Sequence, residues 1–343
     1  MNFTLQTLAA ALCAALLCIG KPASAQASSP TIDRVKSRGY LTCGASQGVP
    51  GLSRPDEKGY YRGFDSDICR SVASAILGDR EKVRFVPLNA GQRFLALQTG
   101  EIDILPRTST ITYTRDMAVR FVQIYQYDGD AVLVRKKDKI NGGKDLNSRT
   151  VCLQGGGSLV ENAILETEEK YKIKVKKVYF DSTIQARDAY FAGRCDAYIS
   201  DGTAIAGVRA TVAKNPDEHH IFRVGEMSEP NGLVIARGDD RLFDIARWTL
   251  NALIWAEAMG ITAANVDERA KKGHAEERRV LGGKGFGKAI GLNDHWVYHV
   301  IKQNGNYAEI WDRNLGQGSP LKVPRGLNAL WRDGGLYHPY PWD

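Results

Sequence analysis

The feature that most constrains the fold of this chain is a strand–helix alternation that occurs once in each half. In the first half, an apolar strand over residues 40–45 precedes a helix whose inner stripe is Ile68, Val72 and Ile76. In the second half, a strand over residues 150–153 leads through a glycine-rich turn into another helix. Such alternation favours mostly parallel sheets with helices on both faces. Because 343 residues exceed one ordinary domain, we expect two α/β lobes.

The predicted elements extend this pattern along most of the chain. Asp65 is predicted as the N-cap of the first long helix, since a short acidic side chain can accept hydrogen bonds from the free N–H groups there. Residues 321–343 are rich in Gly, Pro and aromatic residues and are predicted as an irregular tail packed on the surface. The other predicted strands are residues 83–86, 102–105, 131–135, 175–180, 195–200 and 233–236, and the other predicted helices are residues 92–99, 182–192, 241–259, 294–303 and 306–314, with one that ends near residue 171 and one that follows Asp201.

The N-terminus has the pattern of a secretory signal peptide. Residues 8–20 are apolar but fewer than the roughly 20 residues that a membrane-spanning helix needs. Ala23, Ser24 and Ala25 then supply the small residues of a cleavage site. We therefore predict that residues 1–25 are removed after Ala25 and that the mature protein is exported.

The mature chain would keep four cysteines, Cys43, Cys69, Cys152 and Cys195, an even number that suits an oxidising compartment. Three pairings are possible, and we favour Cys43 with Cys69 and Cys152 with Cys195 because each pair then lies inside one half of the chain. Metal binding is the rival interpretation, but the chain has no Cys-x-x-Cys motif, so the sequence favours disulfides.

The formal net charge is +7, and basic residues cluster at positions 135–137 and 174–177. Neither a nucleic-acid-binding motif nor interleaved aromatic residues accompany these clusters, so we predict no nucleic-acid partner. Two interpretations of the clusters stay open: they are solvated faces of the protein, or they contact an anionic membrane surface.

The strongest candidate for a binding site is the segment of residues 102–115. An apolar strand runs into a group of hydroxyl side chains that includes Thr108 and Thr110, and Arg115 ends the segment. Hydroxyls donate hydrogen bonds at short range, and a guanidinium group can bind a carboxylate with two parallel hydrogen bonds. Since α/β sheets bind ligands at the carboxyl ends of their strands, the pattern indicates a pocket for a small anion, although a Thr-rich surface loop would have the same composition.

Two motifs in the second half also follow strands. The turn of residues 155–158 precedes a helix and could bind an anion through free backbone N–H groups, or could simply be a tight turn. Asp201 comes directly after a predicted strand and could present its carboxylate to a ligand or cap the next helix. Together, an arginine, a backbone anion site and a carboxylate suit a zwitterion that carries a carboxylate and an ammonium group.

Several longer segments occur in a recognisable order between about residue 31 and residue 331, among them GFDSDICRSVA, RFLALQTGEIDIL, AGRCDAYISD and RWTLNALIWAEAMGITAANVDE. In these the chain resembles the periplasmic substrate-binding proteins of amino-acid ABC transporters, and within them the general L-amino-acid-binding subgroup. The resemblance implies a type II periplasmic-binding fold with two lobes, two hinge strands and a helical C-terminal extension. It also implies a periplasmic monomer that captures an L-amino acid by hinge closure and delivers it to a membrane permease, without a cofactor.

The resemblance implies roles for individual residues. Arg115 would bind the carboxylate of the ligand, with help from Thr108, Thr110 and the turn from Gly156 to Ser158, and Asp201 would bind the ammonium group. Hinge strands are implied at residues 126–129 and about 222–229. The implied first lobe comprises residues 26–127 and 226–275, the second lobe comprises residues 128–225, and residues 276–343 form C-terminal helices and a tail packed on the first lobe.

The chain departs from the subgroup at several positions near the implied site. Pro106 replaces a small hydroxyl residue, Ile111 replaces an aromatic residue, and Gly157 replaces a threonine. Ser46 and Val49 lie where relatives place groups that contact the side chain of the ligand. These differences predict a retained zwitterion site with its own side-chain specificity.

Enzymatic and metal-dependent functions have little support in the sequence. His295 and His299 are four residues apart but lack the His-Glu-x-x-His pattern of zinc peptidases, and the Gly-x-Ser-x-Gly motif of serine hydrolases is missing. We therefore predict a binding protein that is not an enzyme and has no metal site. Two alternatives stay open: a periplasmic lyase or dehydratase on the same fold, and a soluble ligand-sensing module for a membrane receptor.

Overall fold

The structure is a computed structural model that describes residues 29–156, 158–225, 228–283 and 285–342. The predicted signal peptide, with its cleavage site after Ala25, lies outside the described residues, and so does Gly157. The described part of the chain is built around two separate five-stranded sheets.

The first part of the chain supplies four strands of the first sheet and the helices packed on it. A short two-stranded ribbon is also formed in this part. In chain order the elements are α1 (Pro30–Arg38), β1 (Leu41–Ala45), β2 (Arg54–Pro55), β3 (Tyr61–Arg62), α2 (Phe64–Leu77), β4 (Val83–Pro87), α3 (Arg93–Gln98), β5 (Ile104–Leu105), α4 (Tyr113–Ala118) and β6 (Arg120–Asp128).

The middle part of the chain forms the whole second sheet, with helices between its strands. In chain order the elements are β7 (Asp130–Arg135), β8 (Thr150–Gln154), α5 (Val160–Tyr171), β9 (Lys176–Phe180), α6 (Thr183–Phe191), β10 (Ala197–Asp201), α7 (Gly202–Thr211) and β11 (His219–Arg223). The last part returns to the first sheet with one strand and is helical after it. Its elements are β12 (Glu229–Ile235), α8 (Asp240–Ala258), α9 (Val266–Lys272), α10 (Ala275–Leu281), α11 (Phe286–Ala289), α12 (Trp296–Asn304) and α13 (Tyr307–Asn314).

The strand order is β4–β1–β5–β12–β6 in the first sheet and β11–β7–β10–β8–β9 in the second. β1 runs parallel to β4 and β5, and β8 runs parallel to β9 and β10. The other pairings in the two sheets are antiparallel and involve β7 or β12, the strands that enter one sheet from the other. The predicted two-sheet α/β architecture with mostly parallel sheets is confirmed, because four of the five strands in each sheet run in one direction and a single strand, β12 or β7, runs against them.

The chain passes between the two sheets at two places. β6 of the first sheet continues through Gly129 into β7 of the second, and β11 of the second sheet leads to β12 of the first. These crossings fall inside the two segments, residues 126–129 and 222–229, that the sequence indicated as hinge strands. A ligand site beside the crossings would therefore be reached by residues from both sheets.

Helix α2 lies in the larger hydrophobic core, which surrounds the first sheet. Its predicted inner stripe of Ile68, Val72 and Ile76 is buried, and the helix packs against α8 and α12. The apolar spacing of the sequence thus identified the buried face correctly. The additional helices α9, α10 and α11 were not predicted, since each is too short to show a clear apolar period.

The predicted N-cap of this helix is wrong. The helix begins at Phe64, and its N-cap is Gly63 with φ of 127°. A Cβ atom at position 63 would lie 2.2 Å from the carbonyl oxygen of Leu52, so the close approach of the two backbones requires glycine. Asp65 is instead buried in the first helical turn, where Oδ1 accepts a hydrogen bond from Tyr125 Oη at 2.8 Å.

The C-terminal tail is irregular and mostly exposed, as predicted, but a few of its side chains reach into the core. Leu330, Tyr337 and Trp342 are buried in the same cluster as α2. The side chain of Asn328 forms hydrogen bonds of 2.7 and 2.8 Å with the backbone N–H and carbonyl of Tyr127 in β6. The tail therefore supports a strand next to one of the crossings. Within the described residues, none of the helices has both the length and the apolar character needed to cross a membrane.

Both predicted disulfides are present. Cys43 of β1 is bonded to Cys69 of α2, and Cys152 of β8 is bonded to Cys195, which precedes β10. The Cα–Cα distances are 6.3 and 5.7 Å, within the range usual for disulfides. The first bond ties a strand to a helix packed on its sheet, and the second ties a strand to the start of a neighbouring strand.

We expect that replacing both Cys152 and Cys195 with serine lowers the free energy of unfolding by about 2–4 kcal/mol, because the bond closes a loop of 43 residues. Chemical denaturation of the mature protein and the double variant, without reductant, measures the difference. The matching variant at Cys43 and Cys69, whose separation is 26, should lose slightly less. Four titratable thiols in the denatured, unreduced wild-type protein would contradict both bonds.

Candidate functional site

A cavity of about 530 Å³, measured as space free of atoms and partly open to solvent, lies between the two sheets beside the crossings. Its polar lining comes from both sheets and the loops at their strand ends. The lining includes Ser46, Arg93, Arg107, Thr108, Thr110, Arg115, Asp130, Gln154, Ser158, Thr183, Ser200, Asp201 and Glu229.

The two halves of the molecule are in close contact around this cavity. A Cβ atom built on Gly91, which follows β4, would lie 3.1 Å from the carbonyl oxygen of Gly156, which follows β8. A Cβ atom on Gly207 of α7 would lie 2.5 Å from the carbonyl oxygen of Pro50. The cleft between the sheets is therefore nearly closed in this structure.

The hydroxyl-rich segment after β5 is held by the neighbouring strands. Thr108 has the left-handed φ of 33°, which is uncommon for a residue other than glycine. Its backbone N–H donates to Tyr125 Oη at 2.9 Å, and that hydroxyl donates in turn to Asp65. Burial raises the pKa of Asp65 to about 7. Asp65 thus acts through Tyr125 to hold the backbone of the segment beside the cavity.

Arg115 lies in α4 with its guanidinium group at the cavity. The Nη1 atom donates to the carbonyl oxygen of Thr110 at 3.0 Å, and the backbone N–H of Arg115 donates to Thr112 Oγ1 at 3.2 Å. Burial lowers the pKa of Arg115, with Glu229 and Asp201 acting in the opposite direction. Both the backbone and the guanidinium group of Arg115 are therefore held in place, and the guanidinium group can bind an anion that enters the cavity.

The glycine-rich turn contributes Ser158 to the cavity lining. Gly156 has a left-handed φ of 66° and is exposed, and it lies in the same turn but outside the lining. The structure thus brings five of the six predicted ligand residues together at one cavity, and Gly156 to its edge. These five are Arg115, Thr108, Thr110, Ser158 and Asp201.

Asp201 is the last residue of β10, and its side chain forms no capping hydrogen bond with α7. The N–H group of Thr203 in that helix is bound instead by Asp128 Oδ2 at 3.0 Å. Asp201 therefore occupies the N-cap position of α7, as one alternative predicted, but its carboxylate does not cap the helix. Its carboxylate lines the cavity.

Two further acids lie beside Asp201 and were not identified from the sequence. Asp130 opens β7 and Glu229 opens β12, and one carboxylate oxygen from each of the three acids lies within 4.8 Å of the others. Burial and the neighbouring carboxylates raise the pKa of Asp130 to about 9 and that of Asp201 to about 8. Burial also raises the pKa of Glu229, although Thr110 Oγ1 donates to its Oε2 at 3.0 Å. Three acids this close are able to surround one small cation.

Two arginines were also missed. Arg93 Nη1 donates to the carbonyl oxygen of Ala90 at 2.6 Å, and Arg107 Nε donates to that of Leu88 at 3.1 Å. Both side chains are buried and line the cavity. Three guanidinium groups in one cavity disfavour a metal cation there, so the absence of a metal site stays our prediction.

The positions at which the chain departs from the subgroup differ in whether they line the cavity. Ser46 and Val49 line the cavity and could contact the side chain of a ligand. Pro106 is buried, Ile111 packs beside Gly232 and against the core cluster that contains Phe121, and neither is part of the cavity lining. Gly157 lies outside the described residues.

Replacing Gly207 with alanine should weaken ligand binding. The added Cβ would lie 2.5 Å from the backbone oxygen of Pro50, so the two halves could no longer approach as closely. Overpacking typically costs about 1–3 kcal/mol, which predicts about 5- to 150-fold weaker binding. Calorimetric titration measures the affinity, and Gly142→Ala, whose Cβ would meet nothing within 4 Å, is the matched control. Equal affinities for the two variants would contradict this role of Gly207.

Comparison with known proteins identifies relatives of the whole architecture. Residues 41–275 match the family of bacterial extracellular solute-binding proteins, family 3. The chain is 42% identical over 339 residues to the general L-amino acid-binding periplasmic protein AapJ of Rhizobium johnstonii, covering 97% of this chain and 98% of that protein. It is 38% identical over 322 residues to the glutamate/glutamine/aspartate/asparagine-binding protein BztA of Rhodobacter capsulatus, covering 92% and 94%.

A solved structure is similar over nearly its full length. An ABC transporter periplasmic binding protein from Brucella ovis with glutathione bound shares 43% identity and a TM-score of 0.88, covering 92% of this chain and 99% of that one. The family resemblance, the fold and the location outside the cytoplasm that the sequence indicated are thus confirmed. This chain belongs to the bacterial extracellular solute-binding proteins, family 3.

Proposed function

We propose that this protein captures an L-amino acid, or a small molecule with the same α-amino-carboxylate group, and delivers it to the permease of an ABC transporter. The observation that carries the proposal is a single cavity between two sheets, lined by the guanidinium group of Arg115 and by the carboxylate of Asp201. A zwitterion carries a carboxylate that can pair with Arg115 and an ammonium group that can pair with Asp201. Relatives named for binding general L-amino acids, or glutamate, glutamine, aspartate and asparagine, support the same ligand class.

In this proposal Arg115 binds the α-carboxylate of the ligand. Thr108, Thr110, Gly156 and Ser158 donate further hydrogen bonds from the loops at the strand ends, and Asp201 binds the α-ammonium group. Ser46 and Val49, which line the same cavity, contact the ligand side chain. Charge-assisted hydrogen bonds of this kind are about twice as strong as neutral ones, which makes both charged ends of the ligand necessary.

The lobes close on the ligand by rotation about the two crossings, a hinge-type transition. The first lobe comprises residues 26–127 and 226–275, the second comprises residues 128–225, and residues 276–343 pack on the first lobe. Contacts such as that of Gly207 with Pro50 support this division, because they join the two lobes across the cleft. The protein acts as a monomer, and the permease recognises its closed form.

The protein is not an enzyme in this proposal, and it releases its ligand unchanged. The alternative is a lyase or dehydratase, for which an acid with a raised pKa, such as Asp201, could act as a proton donor. Mass spectrometry of each ligand after prolonged incubation with the protein distinguishes the two functions. Recovery of the intact ligand supports transport, and a product of lower mass supports the enzyme.

A thermal-shift panel tests the ligand class. The mature protein is heated with individual L-amino acids, glutathione, simple organic acids and amino-acid amides. A ligand present at about 100 times its dissociation constant should stabilise the protein by about 2.7 kcal/mol. We expect α-amino acids to raise the midpoint, and the organic acids and amides not to. A midpoint raised by organic acids but by no α-amino acid would overturn the proposal.

A further inference from the structure

Two carboxylates face each other in the second sheet. Asp201 and Asp130 are direct register partners on the antiparallel strands β10 and β7. Like charges directly opposite on neighbouring strands destabilise a sheet. Glu229 adds a third carboxylate from β12 of the other sheet, within 4.8 Å of both. All three line the ligand cavity, so the repulsion is placed where a ligand can offset it.

Asp130 is the least satisfied of the three acids. The residue is only 5% exposed, and its Oδ1 has no hydrogen-bond partner among the described residues. The charged groups that act most strongly on it are all acidic, namely Glu229, Asp201, Asp128 and Glu166. A buried carboxylate without a partner is stable only when it binds a proton or a cation. The site therefore lacks a positive group at this point.

The other two acids, Glu229 and Asp201, each interact with a positively charged side chain. Glu229 Oε2 accepts a hydrogen bond from Thr110 Oγ1, and Arg115 partly offsets the rise in the pKa of Glu229 that burial causes. Arg107 partly offsets the rise in the pKa of Asp201 in the same way. The guanidinium groups thus act on Glu229 and Asp201, whereas the groups that act most strongly on Asp130 are acidic. The cavity therefore presents both guanidinium groups and carboxylates, as a zwitterion requires.

We infer that Asp130 and Glu229 bind the ammonium group of the ligand together with Asp201, so that three carboxylates rather than one recognise the amine. An ammonium group has three N–H donors, one for each of the three acids. The inference rests on the proposed function, since it requires a ligand with a free amine. It adds Asp130 of β7 and Glu229 of β12 to the amine site. Because these strands belong to different sheets, binding the amine also holds the two sheets together.

The proposal is tested with an equimolar mixture of the twenty L-amino acids and glutathione as the probe. The protein is first freed of copurified ligand by dialysis in denaturant and refolding. We expect the mixture to raise the unfolding midpoint of the wild type, and Asp130→Asn and Glu229→Gln each to weaken the response at least tenfold in probe concentration. Glu166→Gln, which removes a neighbouring charge outside the cavity, is the matched control and should respond as the wild type does.

Folding of the variants is checked without the probe. Asp130→Asn removes one of two facing charges, so its ligand-free midpoint should equal or exceed that of the wild type. Should that variant fail to fold, Glu229→Gln carries the test alone, because its side-chain oxygen can still accept from Thr110. A lost response in a folded variant supports the inference.

Three other results would contradict it in different ways. A full response in both variants shows that Asp130 and Glu229 do not bind the amine, and leaves the proposed function standing. No response in the wild type overturns the proposed function itself. A wild-type response that requires added Ca²⁺ or Mg²⁺ and is lost with a chelator shows that the acids bind a metal ion instead.

Discussion

Arg115→Ala is expected to weaken the binding of α-amino acids strongly while the protein stays folded. Arg115 provides a guanidinium group beside the hydroxyl-rich segment, and its Nη1 atom donates a hydrogen bond to the carbonyl oxygen of Thr110. Removing one partner of a buried charged pair costs about 2–5 kcal/mol, which corresponds to about 30- to 5,000-fold weaker binding. Calorimetric titration of the ligand that gives the largest thermal shift measures the loss.

A second variant of Arg115 separates the geometry of the guanidinium group from its charge, and a variant elsewhere is the matched control. Arg115→Lys keeps a positive charge but loses the planar pair of donors, so we expect an intermediate affinity. Arg54→Ala removes an exposed arginine of the same lobe outside the cavity and should bind as the wild type does. Unchanged affinity in Arg115→Ala would place the carboxylate site elsewhere in the cavity, with Arg93 and Arg107 as the remaining guanidinium groups.

The parts of the site that follow from local sequence were predicted correctly in their position. Thr108 and Arg115 lie in the segment that follows β5, and Asp201 is the last residue of β10, so all three lie near strand ends, which meet at the edge of a sheet. The hydrophobic period of α2 likewise identified its buried face. Local order along the chain was enough in these cases because the neighbours that matter are a few residues away.

The parts that depend on pairing between distant strands were missed. Asp130 and Asp201 become neighbours only through the antiparallel register of β7 and β10, which the sequence does not display. Glu229 reaches them because β12 returns to the first sheet after about a hundred residues in the other lobe. The strand ends at both predicted hinges were the available signal, since acids at such ends point toward the cleft.

Asp65 is a second case in which a contact with a distant residue decides the role: here the local pattern predicted a function that the residue does not have. An acid at the start of an apolar period is typical of an N-cap, but the backbone of Leu52 approaches position 63 so closely that glycine takes the cap. Asp65 then bonds to Tyr125, a residue 60 positions away, and supports Thr108 through it. Its role was hidden because its partner is distant in sequence.

Asp201→Asn should weaken the binding of α-amino acids about as strongly as Arg115→Ala does. The carboxylate has no role in capping α7, so the substitution leaves the helix start intact. Loss of the charge that pairs with the ammonium group should cost about 2–5 kcal/mol of binding free energy. Titration calorimetry measures this loss, and Asp188→Asn, an exposed acid on α6 outside the cavity, is the matched control.

The same substitution should leave the ligand-free protein as stable as before, or more stable, and this separates a binding role from a structural one. Asp201 faces Asp130 on the adjacent strand, and relief of such a like-charge pair is worth about 0.2–1 kcal/mol.

The stability of the wild type should also depend on pH through Asp201. Because the pKa of Asp201 is raised to about 8 in the folded protein, the folded protein binds the proton of this carboxyl group more tightly than the unfolded chain does. The stability that this proton contributes is present at low pH and is lost as the pH rises toward 8. We therefore expect the stability advantage of Asp201→Asn over the wild type to grow between about pH 5 and pH 8. A variant that binds normally, or that is less stable than the wild type across this range, would show that Asp201 serves the fold rather than the ligand.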